Sequence, residues 1–122
     1  MKKLIIACLI LITAACTKNN ATISGDLLVR VENSSNTPLS AVMLGQHNFG
    51  PLKNGSMTGY QQFTQLIAYA GAMVVVGKDT TYAGMGYCGT PPLPYLENGK
   101  YTLQIFNDPI LNNALNSKYI KE

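Results

Sequence analysis

The sequence predicts an all-β fold, a single small antiparallel β-sandwich, and three observations carry that expectation. Charged residues make up only 12% of the chain, about half the usual quarter. The polar surface must then come from Asn, Thr, Ser, Gln and Gly, which suit strands and turns better than helices. Short stretches alternate apolar and polar residues and are separated by turn clusters roughly every 8–12 residues. No long helical pattern lies between them, which argues against βαβ units.

The elements follow in chain order. Thr17 to Thr22 is polar and without apolar periodicity, a tether. From Ile23 to Glu32 the chain alternates, with Leu27, Val29 and Val31 on one face and Leu28, Arg30 and Glu32 on the other. Asn33 to Pro38 is a loop cluster. A strand resumes over Leu39 to Leu44 and ends at Gly45. Gln46-His47-Asn48 reads as a polar turn. Phe49 to Tyr60 is punctuated by Gly50-Pro51, Asn54-Gly55 and Gly59, so it reads as turns with strand fragments, and Asn54-Gly55 is a hairpin signal.

Gln65 to Val76 is the most apolar stretch beyond the N-terminus. Its β-branched centre, Met73 to Val76, predicts a buried strand, and Gly71 weakens any helix there. Gly77-Lys78-Asp79 turns the chain into a partner strand, Thr80 to Ala83. Gly84 to Pro94 holds three glycines and three prolines and excludes regular structure. Glu97 to Lys100 reads as a second hairpin-type turn. Tyr101, Leu103 and Ile105 then alternate with Thr102, Gln104 and Phe106 as a strand. The tail from Asp108 stays open between strand and short helix. Leu111, Leu115 and Tyr119 have helical spacing, but Asn112, Asn113 and Asn116 are poor helix residues.

The N-terminus carries the strongest signal. Lys2 and Lys3 precede an apolar run, Leu4 to Ile12, and a small-residue site, Thr13-Ala14-Ala15, leads directly to Cys16. The run is too short for a bilayer, which takes about 20 residues. This arrangement resembles a bacterial lipoprotein signal. The resemblance implies cleavage before Cys16 and diacylglycerol on its sulfur, with stable membrane anchoring once two or more acyl chains are present. The expected organisation is residues 1–15 signal peptide, 16–22 lipidated cysteine and tether, and 23–122 one sandwich domain. Thr17 follows the cysteine where an inner-membrane retention aspartate would stand, so the resemblance implies the outer membrane. Acids just after the cysteine favour surface export in Bacteroidetes lipoproteins. Thr17 to Asn20 has none, which leans the domain toward the periplasm.

The formal net charge of +3 owes two units to Lys2 and Lys3, so the domain itself is almost neutral and carries no nucleic-acid footprint. Cys8 leaves with the signal and Cys16 takes lipid. Cys88 is left alone, to be buried or to pair with another chain. His47 is the only histidine, so a Ser-His-Asp or Cys-His arrangement would have to use it; in a polar turn it reads as solvated, and no catalytic residue is expected. One histidine, one free cysteine and scattered acids supply no metal site, and no cofactor is expected. Gly84-Met85-Gly86 lacks the following Lys-Ser/Thr of a phosphate loop.

The best candidate binding surface is the stretch Tyr82 to Tyr95. It holds Tyr82, Tyr87 and Tyr95 and the polyproline-II run Pro91-Pro92-Leu93-Pro94, with Pro92 at its centre. Read plainly, it is a rigid crossover whose tyrosines cap the sandwich edge. Asp79-Thr80-Thr81 resembles the short O-glycosylation motif of Bacteroidetes, with Thr80 as acceptor. Val29 to Ser34, Gly86 to Leu93 and Leu96 to Thr102, in that order, are similar to small lipoproteins of Bacteroidetes. That resemblance implies an Ig-like β-sandwich and an envelope location and lends no activity. The expectation is therefore a non-enzymatic interaction or structural module, its partner an envelope protein, peptide or glycan. The alternative is a glycan- or peptide-binding lipoprotein that uses residues 82–95.

Overall fold

The computed structural model describes residues 26–84 and 94–122. The expected signal peptide, Cys16, the expected tether, Tyr87, Cys88 and Pro92 lie outside the described residues. Among the described residues eight strands form two four-stranded sheets. The strands are β1 Leu27–Asn33, β2 Ala41–Leu44, β3 His47–Asn48, β4 Gln61–Phe63, β5 Ala72–Val76, β6 Asp79–Ala83, β7 Gly99–Asp108 and β8 Ala114–Lys121. The first sheet runs in the order β4-β1-β7-β8 and the second β3-β2-β5-β6. The protein is an all-β sandwich. Every pairing is antiparallel except β1 with β7, which run parallel from Leu27 beside Gly99 to Asn33 beside Ile105. Among the described residues no helix is long and apolar enough to cross a membrane.

Alternation explains the core. Leu27, Val29 and Val31 from β1 and Tyr101, Leu103 and Ile105 from β7 point inward from the first sheet. Val42 and Leu44 from β2 and Ala72 and Val74 from β5 meet them from the second. The sequence expectation for β5 holds as a strand, but only one of its faces is buried, since Met73 is 51% exposed. Gly77, at φ 64, opens the β5–β6 turn from its first central position, as a II′-type hairpin requires.

Four local expectations change. Gly45, at φ 62, ends β2 but also starts a tight hairpin to β3, so His47 and Asn48 are strand residues rather than turn. Asn54-Gly55 does form a turn, yet its flanks pair with different sheets. Leu52 bridges Leu39, at the head of β2, and Met57 bridges Glu32 of β1. The turn is a corner between layers, not a hairpin. Asn98-Gly99 is likewise a bend into β7, whose partner β1 is parallel, so it closes no hairpin either. β4 has no alternation of its own to announce it; it exists because Gln61 to Phe63 pairs along β1.

The tail is a strand. β7 ends in a single 3-10 turn, Pro109–Leu111, started by Asp108, whose Oδ1 accepts from the Ile110 amide at 2.9 Å. Asn112 and Asn113 both sit at φ 63, the left-handed region that asparagine tolerates, and they reverse the chain into β8. Two of the three asparagines that spoke against a helix, Asn112 and Asn113, make this turn.

The two sheets come closest where β6 ends beside β8. Ser117 donates its hydroxyl to the Ala83 carbonyl at 2.7 Å. Two glycines make room for this approach. A Cβ on Gly71 would meet the Ala83 carbonyl oxygen at 2.2 Å and the Gly84 Cα at 2.9 Å. Both obstacles are backbone, so Gly71→Ala should cost about 1–3 kcal/mol in urea unfolding, as overpacking does. Gly59→Ala, whose new Cβ meets nothing within 4 Å and whose backbone needs no positive φ, is the control and should stay within about 0.5 kcal/mol of the parent.

Candidate functional site

The two outer faces differ in chemistry. On the first sheet the outward rows are polar. Arg30 lies beside Thr102 and Ile120, and Glu32 beside Gln104 and Lys118. Arg30 donates from Nε to Thr102 Oγ1 at 3.0 Å and from Nη2 to Glu122 at 3.3 Å, and its guanidinium sits 4.8 Å from the Tyr60 ring. The Thr102 hydroxyl donates to Glu122; with Tyr60 and Arg30 it holds that carboxyl below its ordinary value. Burial pushes the Tyr60 phenol up, with help from its bond to Glu122. These contacts knit β1, β7 and the chain after β8 together.

The second sheet presents Asn48, Met43, Met73 and Tyr82 in one row and Ala41, Val75 and Thr80 in the next. Thr80 is exposed, the second residue of β6 beside the Gly77-Lys78 turn, in the partner strand expected for it. His47 packs its ring 3.9 Å from that of Phe63 and pairs through Nδ1 with Gln61 Oε1 at 3.0 Å, so it bridges the two sheets at β3 and β4 and is not a solvated turn residue. Among the described residues no three of His, Cys, Asp or Glu come together to hold a metal ion.

Tyrosines gather at the β8 end of the sandwich. Tyr119, on the inward face of β8, donates its hydroxyl to the Ala70 carbonyl at 2.7 Å. Tyr82 accepts from the Gly71 amide at 2.8 Å. Those two groups belong to one peptide unit, so the two phenols clamp the Ala70–Gly71 peptide from its two ends. Tyr101 donates to the Glu97 carbonyl at 2.9 Å and meets the Tyr119 ring edge-on, centroids 6.4 Å apart. Tyr95 bridges Ile67, and the Ala68 amide donates to the Pro94 carbonyl at 2.7 Å, which fixes the loop over 67–70.

Between that loop and β8 lies an open cleft of about 420 Å³. Its lining comes from Ala68 to Ala70, Leu96 and Tyr101 on one side, and Asn116 to Tyr119 with Lys121 on the other. The volume falls in the range of small-molecule and peptide-side-chain sites, roughly 300–1,000 Å³. Of the expected binding residues, Tyr82 reaches the cleft's edge through Gly71 and Tyr95 supports its loop, but neither lines it. Tyr69, Tyr101 and Tyr119 line it instead. Tyr101 read only as a strand residue, and Tyr119 lay in the tail left open between strand and helix, so period-two reading of that tail was the signal that could have found it. No protein-family model, curated protein or solved structure matches the chain.

Burial, and secondarily the neighbouring Tyr82, pushes the Tyr119 phenol far above its ordinary value of 10.0. In the unfolded chain the same phenol ionises normally. Its contribution to stability is therefore complete below pH 10 and is lost as pH rises above it. Tyr119→Phe should cost about 1 kcal/mol at neutral pH through the lost bond to Ala70. Thermal melts between pH 9 and 12 should then show the parent's melting temperature falling more steeply than the variant's.

Proposed function

We propose that the chain is a lipid-anchored, non-enzymatic interaction module of the outer membrane, tethered through Cys16, that takes its ligand in the cleft between β8 and the loop over 67–70. The observation that carries this reading is the lining of that cleft. Three tyrosines, Leu96 and two lysines line a concavity held open by hydrogen-bonded backbone. Rigid tyrosines provide large contact area at little conformational cost, and flanking amines add polar recognition. The lipoprotein-like N-terminus supports the anchor, and the absence of acids after Cys16 supports a periplasm-facing domain. The ligand is a peptide or glycan of the envelope. This moves the binding surface from the stretch 82–95 to β8 and its facing loop, with Tyr82 and Tyr95 as supports.

The test uses full chain recovered from membranes in detergent, probed on combined glycan and peptide arrays. The Cys16→Ala form should leave the membrane fraction. The parent should give specific binding that Tyr101→Ala or Lys118→Glu weakens at least tenfold, while Arg30→Gln, outside the cleft lining, leaves it unchanged. Array signals equal in all variants, or turnover of an array substrate, would contradict the reading.

A further inference from the structure

We propose that β8 takes up an extended, acidic polypeptide segment as an added strand along its outer edge. This rests on the cleft being the binding site and names the class of ligand.

The first support is the hydrogen-bonding phase of the β7–β8 ladder. The Glu122 amide donates to the Lys100 carbonyl at 2.9 Å. In an antiparallel pair such bonds recur at every second residue. The register sets Ile120 beside Thr102, Lys118 beside Gln104 and Asn116 beside Phe106, and these residues turn their backbone toward β7. Leu115, Ser117, Tyr119 and Lys121 turn theirs the other way. The Ser117 amide is taken by Asn116 Oδ1 at 2.8 Å. Among the described residues nothing takes the outward amides of Tyr119 and Lys121. β8 is an edge strand of the first sheet, and these amides are a template for another strand.

The second support is the shape of the cleft. Asn116 and Lys118 project from one face of β8, and Ser117, Tyr119 and Lys121 from the other. Residues from both faces line the same cleft. Only a concavity seated on the strand's edge can be lined from both faces. An added strand would lie between β8 and Ala68 to Ala70, with alternate side chains over Leu96 and Tyr101.

The third support is charge. The lining contains Lys118 and Lys121 and no carboxylate. Lys121 meets Glu97 at 3.4 Å, but both side chains are exposed and solvent weakens the pair. The Lys118 amine lies 5.3 Å from the Phe106 ring on the outer face of the sheet and Lys121 leans to Glu97, so the two amines flank the edge and favour carboxylates on the incoming strand.

The test uses full chain in detergent and three capped eight-residue peptides of alternating Thr and Val. One carries two Glu, one has Lys in their place, and one is the Glu peptide N-methylated at every second residue on the edge facing β8. The Glu peptide should bind and slow amide exchange at Tyr119 and Lys121 at least tenfold, with Ile120 unchanged. The Lys and N-methylated peptides should bind at least tenfold more weakly, and Lys118→Glu with Lys121→Glu should reverse the preference between Glu and Lys peptides. Equal binding of all three, or slow exchange at Tyr119 and Lys121 before any peptide is added, would overturn strand addition; the latter would give the edge to a second copy or another segment of this chain. Array binding of a glycan that moves the Tyr101 and Tyr119 ring signals without protecting those amides would overturn strand addition and leave the cleft as the site. No binding of any array ligand or peptide would overturn both.

Discussion

Asn33 is the residue on which the sandwich turns. It is the last residue of β1 and points inward, at a position where Leu27, Val29 and Val31 have set an apolar rhythm. It is fully buried. Burying an amide is costly unless its donors and acceptor are all matched. Here they are. Nδ2 donates to the Thr37 carbonyl at 2.9 Å and the Leu52 carbonyl at 3.1 Å, and Oδ1 accepts from the Ser35 amide at 3.0 Å and its hydroxyl at 2.6 Å. The backbone of Asn33 donates to Ser56 and accepts from Gly55. One side chain thus joins the loop that leaves the first sheet to the segment that returns to it. Next in sequence, Ser34 donates its amide to Ile105 of β7. The layer crossing and the parallel β1–β7 pairing are locked at the same end.

The rest of the architecture follows from that lock. With β1 parallel to β7, both central strands bury their inward faces, and β8 becomes the edge of the first sheet by hairpin continuation. The Gly71–Gly84 approach then brings the end of β6 against Ser117, which closes one part of the sandwich's side. Among the described residues the side stays open beyond Ser117, and the cleft occupies that opening. Its walls are held by bonds from Tyr119 and Tyr82 to a single peptide unit. The site is thus a consequence of where the two sheets stop touching.

Much of the fold was legible because period-two alternation is strong where one face is buried. β1, β2 and β7 show it plainly, while β5 was marked by its β-branched run and its turn by Gly77. What was not legible depended on partners distant in sequence. β4 is three residues with two glutamines, a strand only because β1 offers an edge. Asn54-Gly55 and Asn98-Gly99 have hairpin composition, but the choice between hairpin and corner lies in which strand each flank meets. Asn33 belonged to a stretch of loop-like residues, and nothing local distinguishes a buried amide from a solvated one. The candidate site was only partly visible. Tyr82 and Tyr95 were singled out for aromatic content near prolines, whereas Tyr101 and Tyr119 are joined only by the β7–β8 register and its inward face.

The most direct measurement is the stability of Asn33→Asp as a function of pH. The change keeps size and the acceptor for Ser35, and replaces only the donor aimed at Thr37 and Leu52. An ionised carboxylate there faces two carbonyl oxygens, so the folded state should hold the acid neutral and its stability should fall as pH rises through the carboxyl range and beyond. The account predicts a loss of at least about 2 kcal/mol against the parent at pH 7, with part of it recovered in acid, where the protonated acid can donate to one carbonyl. A variant as stable as the parent at pH 7, with the parent's pH profile, would contradict the claim that this amide holds the layers together.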